Sequence, residues 1–210
     1  KGKSLMRTSE RIIEKLLLIC AGIAVLGVAL IAAFIFAEGW PVINKTGIMN
    51  FLWGKVWAPT RGVYGIFPMI LGSIYVTLGA LIIGVPIGIG CAVYLAEIAS
   101  PKLSEIIKPG IELLAGIPSV IYGLYGMTVI VPMIRKVFNN QGFSILAGSI
   151  ILAIMILPTI INISKDSIEA VPEEYKEGSL ALGSSHWQAI IRVILPSARS
   201  GILSAVWAEP

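Results

Sequence analysis

"GVYGIFPMILGSIYVTLGALIIGVPIGIGCAVYLA", residues 62–96, runs for 35 positions without a charged side chain. A helix rises about 1.5 Å per residue and bilayer hydrocarbon is about 30 Å thick, so roughly 20 apolar residues suffice to cross it. The run exceeds that need. It reads as a spanning helix over about 72–96, preceded by an interfacial lead-in at 63–71. Three further uncharged runs, 16–37, 113–134 and 143–164, each hold 22 residues. The fold class is therefore all-α: a polytopic transmembrane helix bundle with at least four full spans plus the start of a fifth. The apolar runs are continuous, which excludes the period-two pattern of a membrane β-barrel. The first run is too long for a signal-peptide core and no small-x-small cleavage site follows it, so it reads as a retained span.

Composition agrees. Hydrophobic residues make up 56% of the chain and charged residues 13%, against about 25% charged in soluble domains. If the N-terminus is cytoplasmic, eleven of the sixteen Lys and Arg residues fall inside, including Lys1, Lys3, Arg7, Arg11, Lys15, Lys102, Lys108 and Lys165. Five fall outside: Lys45, Lys55, Arg61, Arg135 and Lys136. Such a bias sets orientation. It accounts for the net charge of +4 and calls for no nucleic acid. Cys20 and Cys91 both lie in apolar runs without ligand partners at useful spacing, so neither a disulfide nor a metal site is expected.

Residues 1–15 read as a basic cytoplasmic segment suited to anionic headgroups. Residues 16–204 form the membrane domain, and within them 165–200 make a cytoplasmic excursion. Residues 205–210 read as an incomplete C-terminal end, because "GILSAVWAEP" after Ser200 turns apolar yet is too short to span. Trp40, Trp53 and Trp57 cluster in the external segment 38–61, as aromatic residues do at the lipid–water boundary; a docking surface for an external partner is the second reading. Segments 97–112 and 135–142 read as short turns. Gly72, Gly79, Gly84, Gly88 and Gly90 stud the second span, and small residues let membrane helices approach closely. Pro86 among them is expected to bend the helix.

The excursion has its own punctuation. Pro172 suits the first position of a short helix, with Glu173 and Glu174 in the turn where negative charge opposes the helix dipole. Gly183 can take the left-handed conformation that ends it. Ser185 with Gln188 three residues on forms a capping-box pattern for a second helix, which is expected to run to Pro196. The outcome is an elbow of two short helices hinged at Gly183. His186 reads as a solvated or capping residue, since no second ligand type stands at metal spacing.

On these residues the chain resembles permeases of ATP-binding-cassette importers, the MetI-like type. Their cytoplasmic signature is E-A-A, three residues, G, nine residues, I-x-L-P. Here Glu177-Gly178-Ser179 is followed after three residues by Gly183 and after nine more by Val193-Ile194-Leu195-Pro196. "GVYGIFPMI", "FLWGKVWAP" and "IELLAGIPSVIYGLYGMTVIVPMI" resemble the PstC-type permease of phosphate importers in particular; the paralogous PstA-type subunit shares part of the last stretch. The resemblance implies an importer for inorganic phosphate working by alternating access in the plasma membrane. Its implied partners are a cytoplasmic ATPase dimer, a second, PstA-like permease and an extracytoplasmic phosphate-binding protein. Glu177, Gly178, Ser179, Gly183, Leu195 and Pro196 would engage the ATPase. The chain itself would hold no cofactor and be no enzyme, with ATP and Mg bound by the ATPase. Consistently, the sequence contains no G-x-x-x-x-G-K-[ST] loop, and "IGVPIGIGC" reads as a packing feature.

Anion contacts are expected mainly in helices that follow in the family, with Ser119 and Asn162 as candidate polar residues of the pathway here. The alternatives are a permease for another oxyanion or small solute, a membrane-embedded enzyme, which would need paired ionisable residues within the spans, and a structural anchor, which would not need the elbow.

Overall fold

The computed structural model of the protein describes residues 8–139 and 141–207. The expected basic segment 1–15 and the end at 205–210 therefore lie partly outside the described residues. The chain divides into two compact units, 1–70 and 71–210.

In the first unit, α1 (Thr8–Thr46) is a 39-residue helix. Between Leu16 and Ala37 it carries no charged side chain, and Leu18, Val25, Leu30 and Phe36 are all strongly exposed; such a stretch is stable only with lipid or apolar neighbours around it. The helix continues through Pro41 and takes in Trp40, which stacks on Phe36 at 6.2 Å. It thus runs beyond the expected end at residue 37. Gly47, at φ 77, leads into α2 (Ile48–Trp53). Then β1 (Trp57–Ala58) pairs antiparallel with β2 (Val63–Tyr64), with Trp57 opposite Tyr64. The two rings meet edge to face at 5.8 Å, and Trp53 lies 5.4 Å from Phe67. Residues 63–71 are consequently no simple lead-in: a hairpin strand occupies Val63–Tyr64, and α3 (Phe67–Val93) starts five residues before the expected Gly72.

The second unit is organised around α3 and α7 (Ile145–Glu169). Ala80, Gly84, Gly88 and Ala92 recur every fourth residue, so they form one stripe of a 3.6-residue helix, and all four are buried. Against them lie Ala153, Ile156 and Ile160 of α7. A Cβ at Gly88 would stand 2.6 Å from Cγ2 of Ile160, so the backbones approach as closely as they do only because that position has no side chain. Ser149 of α7 adds a hydrogen bond, donating to the Val76 carbonyl at 3.2 Å.

The expected third span, 113–134, is broken. An amphipathic helix, α4 (Pro101–Ala115), buries Ile111 against Leu95 and Ile161 and leaves Lys102, Glu105, Lys108 and Glu112 exposed. It replaces the expected turn at 97–112. Pro118 disfavours helix at the preceding Ile117, and a new helix, α5 (Ser119–Tyr125), begins after it. It continues through a widened turn, Gly126–Ile130, into α6 (Val131–Phe138). Arg135 and Lys136 therefore belong to the helix rather than to an external turn. The fourth span also runs on: Ser144 caps α7 by accepting the Ala147 N–H, and the helix extends past residue 164 to Glu169. That takes Lys165 into the helix, where it pairs with Glu169 at 2.6 Å.

Among the described residues, four helical stretches are long and apolar enough to cross a membrane: Ile13–Thr46, Phe67–Ile98, Ser119–Phe138 and Ile145–Glu169. A bent pair, His186–Ser197 with Arg199–Trp207 at 64°, meets the same measure of length and composition only when its two limbs are taken together, as a broken span or a re-entrant loop. The protein is a multi-pass membrane protein.

Two prolines explain local irregularities. Proline cannot donate to the carbonyl four residues back and its ring collides with it. Before Pro132 the turn Gly126–Ile130 widens so that Val131 donates five residues back, to Gly126. Before Pro196 the turn Ile190–Ile194 does the same, with Leu195 donating to Ile190. Widened turns of this kind absorb one extra residue without breaking the helix. Pro196 was expected to end the second elbow helix. It sits instead inside a continuing one, α10 (Leu195–Ser197), and the sharp bend falls at Ala198 before α11 (Arg199–Trp207). α3 lengthens similarly beyond Val93 through a third widened turn, Tyr94–Ile98.

Candidate functional site

The elbow grows from the end of α7. Ala170 and Val171 turn the chain, and α8 (Glu173–Ala181) begins with Glu173 and Glu174 in its first turn. Pro172 flanks the helix one place earlier than expected. At the far end the Leu182 N–H reaches the Gly178 carbonyl at 3.2 Å, and the Gly183 N–H reaches that of Leu180 at 2.9 Å. Gly183 stands at φ 85, the left-handed region that only glycine enters without cost. Ser184 returns to α8 twice: its N–H donates to the Ser179 carbonyl at 3.3 Å, and the two hydroxyls lie 2.7 Å apart. Ser185 then accepts the Gln188 N–H at 3.3 Å, while the Gln188 side chain accepts the Ser185 N–H at 2.9 Å. This is the reciprocal capping box the spacing foretells, and it opens α9 (His186–Ala189).

Because these bonds fix both limbs, the elbow is a rigid body with two faces. One is anchored. Ala189, Ile190 and Ile194 are buried, the last two packing with Ala92, Val93, Ile168, Ala198 and Ile202. The other is free. Glu177, Gly178, Gly183 and Pro196 are exposed, Ser179 is half-buried, and Leu182 at the tip is 91% exposed, whereas Leu195 packs with the anchored face. A Cβ at Gly178 would meet nothing within 4 Å, so that spot is open to another surface. The six signature residues thus share one short segment, and His186 is exposed at its hinge. Among the described residues there is no group of His, Cys, Asp and Glu side chains arranged to hold a metal. Cys20 and Cys91 are free and exposed.

Ser185→Ala removes the acceptor for the Gln188 N–H. Loss of such a cap costs about 1 kcal/mol; local opening then becomes about fivefold more frequent, and limited proteolysis between residues 182 and 190 is expected to speed up by that factor.

Ser119 is the exposed first residue of α5, and Asn162 is half-buried on α7. No hydrogen bond joins them. The sequence reading missed one contact at this site. Lys176 of α8 donates to Glu97 in the turn that ends α3, at 2.5 Å across 79 residues of chain.

Comparison with known proteins bears directly on this segment. Residues 84–208, which contain the whole elbow, match the family model described as the binding-protein-dependent transport system inner membrane component. The chain belongs to this family. Among relatives of this binding-protein-dependent permease, a probable ABC transporter permease protein, YqgH of Bacillus subtilis, is 40% identical over 192 residues, covering 89% of this chain and 62% of the relative. The phosphate transport system permease protein PstC of Mesorhizobium japonicum is 34% identical over 196 residues, covering 84% and 60%. The PstC of Haemophilus influenzae is 35% identical over 187 residues, covering 80% and 59%. The chain therefore spans about three-fifths of these relatives. A chain of the MetNI methionine ABC transporter, solved in inward facing conformations, superposes with a TM-score of 0.53 at 21% identity, covering 69% of this chain and 66% of that one. It shares the permease's MetI-like fold.

Proposed function

We propose that this permease is the PstC-type membrane subunit of an ATP-driven importer of inorganic phosphate. The observation that carries the substrate is the agreement with proteins named as phosphate permeases over more than four-fifths of the chain. The mechanism is supported by the elbow: a rigid, two-faced segment whose inner face is packed on α3, α7 and α11.

In this reading the N-terminus is cytoplasmic, the protein lies in the plasma membrane, and the elbow faces the cytoplasm. The outer face, with Glu177 for charge and Gly178, Ser179 and Gly183 for close approach, seats in an ATPase dimer that binds ATP and Mg. Leu195 and Pro196 carry the load back into the bundle. Closure of the dimer displaces the elbow as a unit, and the spans packed on it alternate access. A second, PstA-type permease completes the pathway, which Ser119 and Asn162 line in part, and an external binding protein delivers the anion. This chain performs no chemistry of its own.

The test is reconstitution of the complete complex in liposomes with an internal ATP supply. Labelled phosphate uptake is expected, suppressed by unlabelled phosphate and unaffected by equal sulfate or molybdate. Indifference to phosphate, with uptake of another oxyanion, would transfer the assignment to a different solute, a reading the non-committal name of the Bacillus subtilis relative leaves room for.

A further inference from the structure

Lys176 and Glu177 are adjacent on α8, so their side chains point about 100° apart. Glu177 faces out. Lys176 faces in, with 28% of its side chain exposed, and meets a Glu97 carboxylate only 10% exposed. Nearer partners by sequence exist: Glu173 lies three residues before Lys176 on the same helix, and Glu169 closes α7. Together with Glu97 and Lys176 they line one cavity of about 240 Å³. Glu169 is already engaged by Lys165. The ammonium reaches past Glu173 to a carboxylate of a spanning helix 79 residues away in the chain. That carboxylate sits in the widened turn Tyr94–Ile98, directly after Ala92 and Val93, which pack on Ile190 and Ile194. α8 is thus held to α3 by charge, while the other limb of the elbow is held to it by apolar packing.

We propose that the Lys176–Glu97 ion pair is a positioning link that makes α8 and the adjoining end of α3 move as one body, so that α3 is a span the elbow drives directly. This rests on the coupling role given to the elbow above. Apolar packing on Ile190 and Ile194 tolerates sliding, whereas a short, largely desolvated hydrogen-bonded pair fixes one point. Without it α8 is tied to α3 only indirectly, through the hinge at Gly183 and the packing of the other limb.

The experiment uses the whole complex with Glu97→Gln, Lys176→Gln and the charge-exchanged double variant Glu97→Lys with Lys176→Glu. Three quantities are read: copurification of the ATPase, ATP hydrolysis, and phosphate uptake per ATP. Single variants are expected to retain the ATPase and its turnover while uptake per ATP falls on the order of tenfold, within the usual range of coupling between sites. The exchanged pair is expected to recover most of that loss. Unchanged uptake per ATP in the single variants overturns the link. So does a double variant no better than the singles, and so does loss of ATPase copurification, which would make the pair a shape-holding contact. A fluorophore on Cys91, in a Cys20→Ser background with the partner subunits' thiols removed, keeps the test independent of substrate. Its ATP-dependent signal is expected in wild type and in the exchanged variant and is lost in the singles. If wild type shows that signal without moving phosphate, the substrate reading fails and the link stands.

Discussion

Gly183→Val is expected to reduce uptake per ATP at least tenfold in the assembled transporter, with hydrolysis continuing. Gly183 adopts φ 85, and nothing lies within 4 Å of where a Cβ would stand, so the penalty is conformational rather than steric crowding by neighbours. A non-glycine residue held in the left-handed region costs about 1–3 kcal/mol, and most for a β-branched one. The elbow can escape that cost only by opening the angle between α8 and α9, which breaks the Ser184–Ser179 contacts and displaces the capping box. A graded series separates this account from a general loss of stability. Asn enters the left-handed region readily and is expected to behave almost as wild type, Ala to be intermediate and Val to be worst. Uptake and hydrolysis measured side by side in liposomes give the ratio. A Val variant with normal coupling would show that the hinge angle does not matter.

Gly88→Val is expected to have the largest effect on folding. Its Cβ would stand 2.6 Å from Cγ2 and 3.1 Å from Cβ of Ile160, a side chain with no exposed surface. Overfilling a packed core costs about 1–3 kcal/mol and sometimes more, which in a chain of this size corresponds to a fall of roughly 2–12 °C in Tm. Gly90→Val is the control. It lies two residues further along the same helix, a Cβ there meets nothing within 4 Å, and its intrinsic effect on helix propensity is the same. Thermal unfolding of the purified protein in detergent should separate the two variants clearly. Equal melting would mean that the approach of α3 and α7 does not depend on glycine.

Much of this was legible in the chain because the bilayer imposes simple demands. Long uncharged runs can do little but cross it, and of the glycines singled out in the second span Gly84 and Gly88 fall on the buried stripe, which Ala80 and Ala92 complete. The elbow could be read because caps are local chemistry: Ser185, Gln188 and Gly183 act within a few residues of one another. Boundaries were harder. Charge-free length alone marked residues 113–134, whereas Pro118 divides them and the amphipathic repeat of α4 claims the first part. Lys165 and Arg135 suggested helix ends, yet a long cationic side chain can sit in a terminal helical turn and reach water or a carboxylate, as Lys165 does with Glu169. The hairpin at Trp57–Tyr64 was hidden by its brevity, two residues a strand. The Lys176–Glu97 pair left no trace in the sequence, since nothing local says which helix will stand beside α8.

The turn at Ile190–Ile194 gives a different meaning to the nine positions between Gly183 and Val193. Straightened into regular helix, that limb would need one residue fewer to carry Pro196 to the same place, because a widened turn is an inserted residue that leaves both flanks in phase. Pro196 offers no N–H to the ladder and its ring crowds the preceding turn, and the widened turn gives that ring room where Pro41, Pro86 and Pro158 sit in regular helix. The spacing of the segment thus includes one residue that adds room beside a proline rather than reach along the helix.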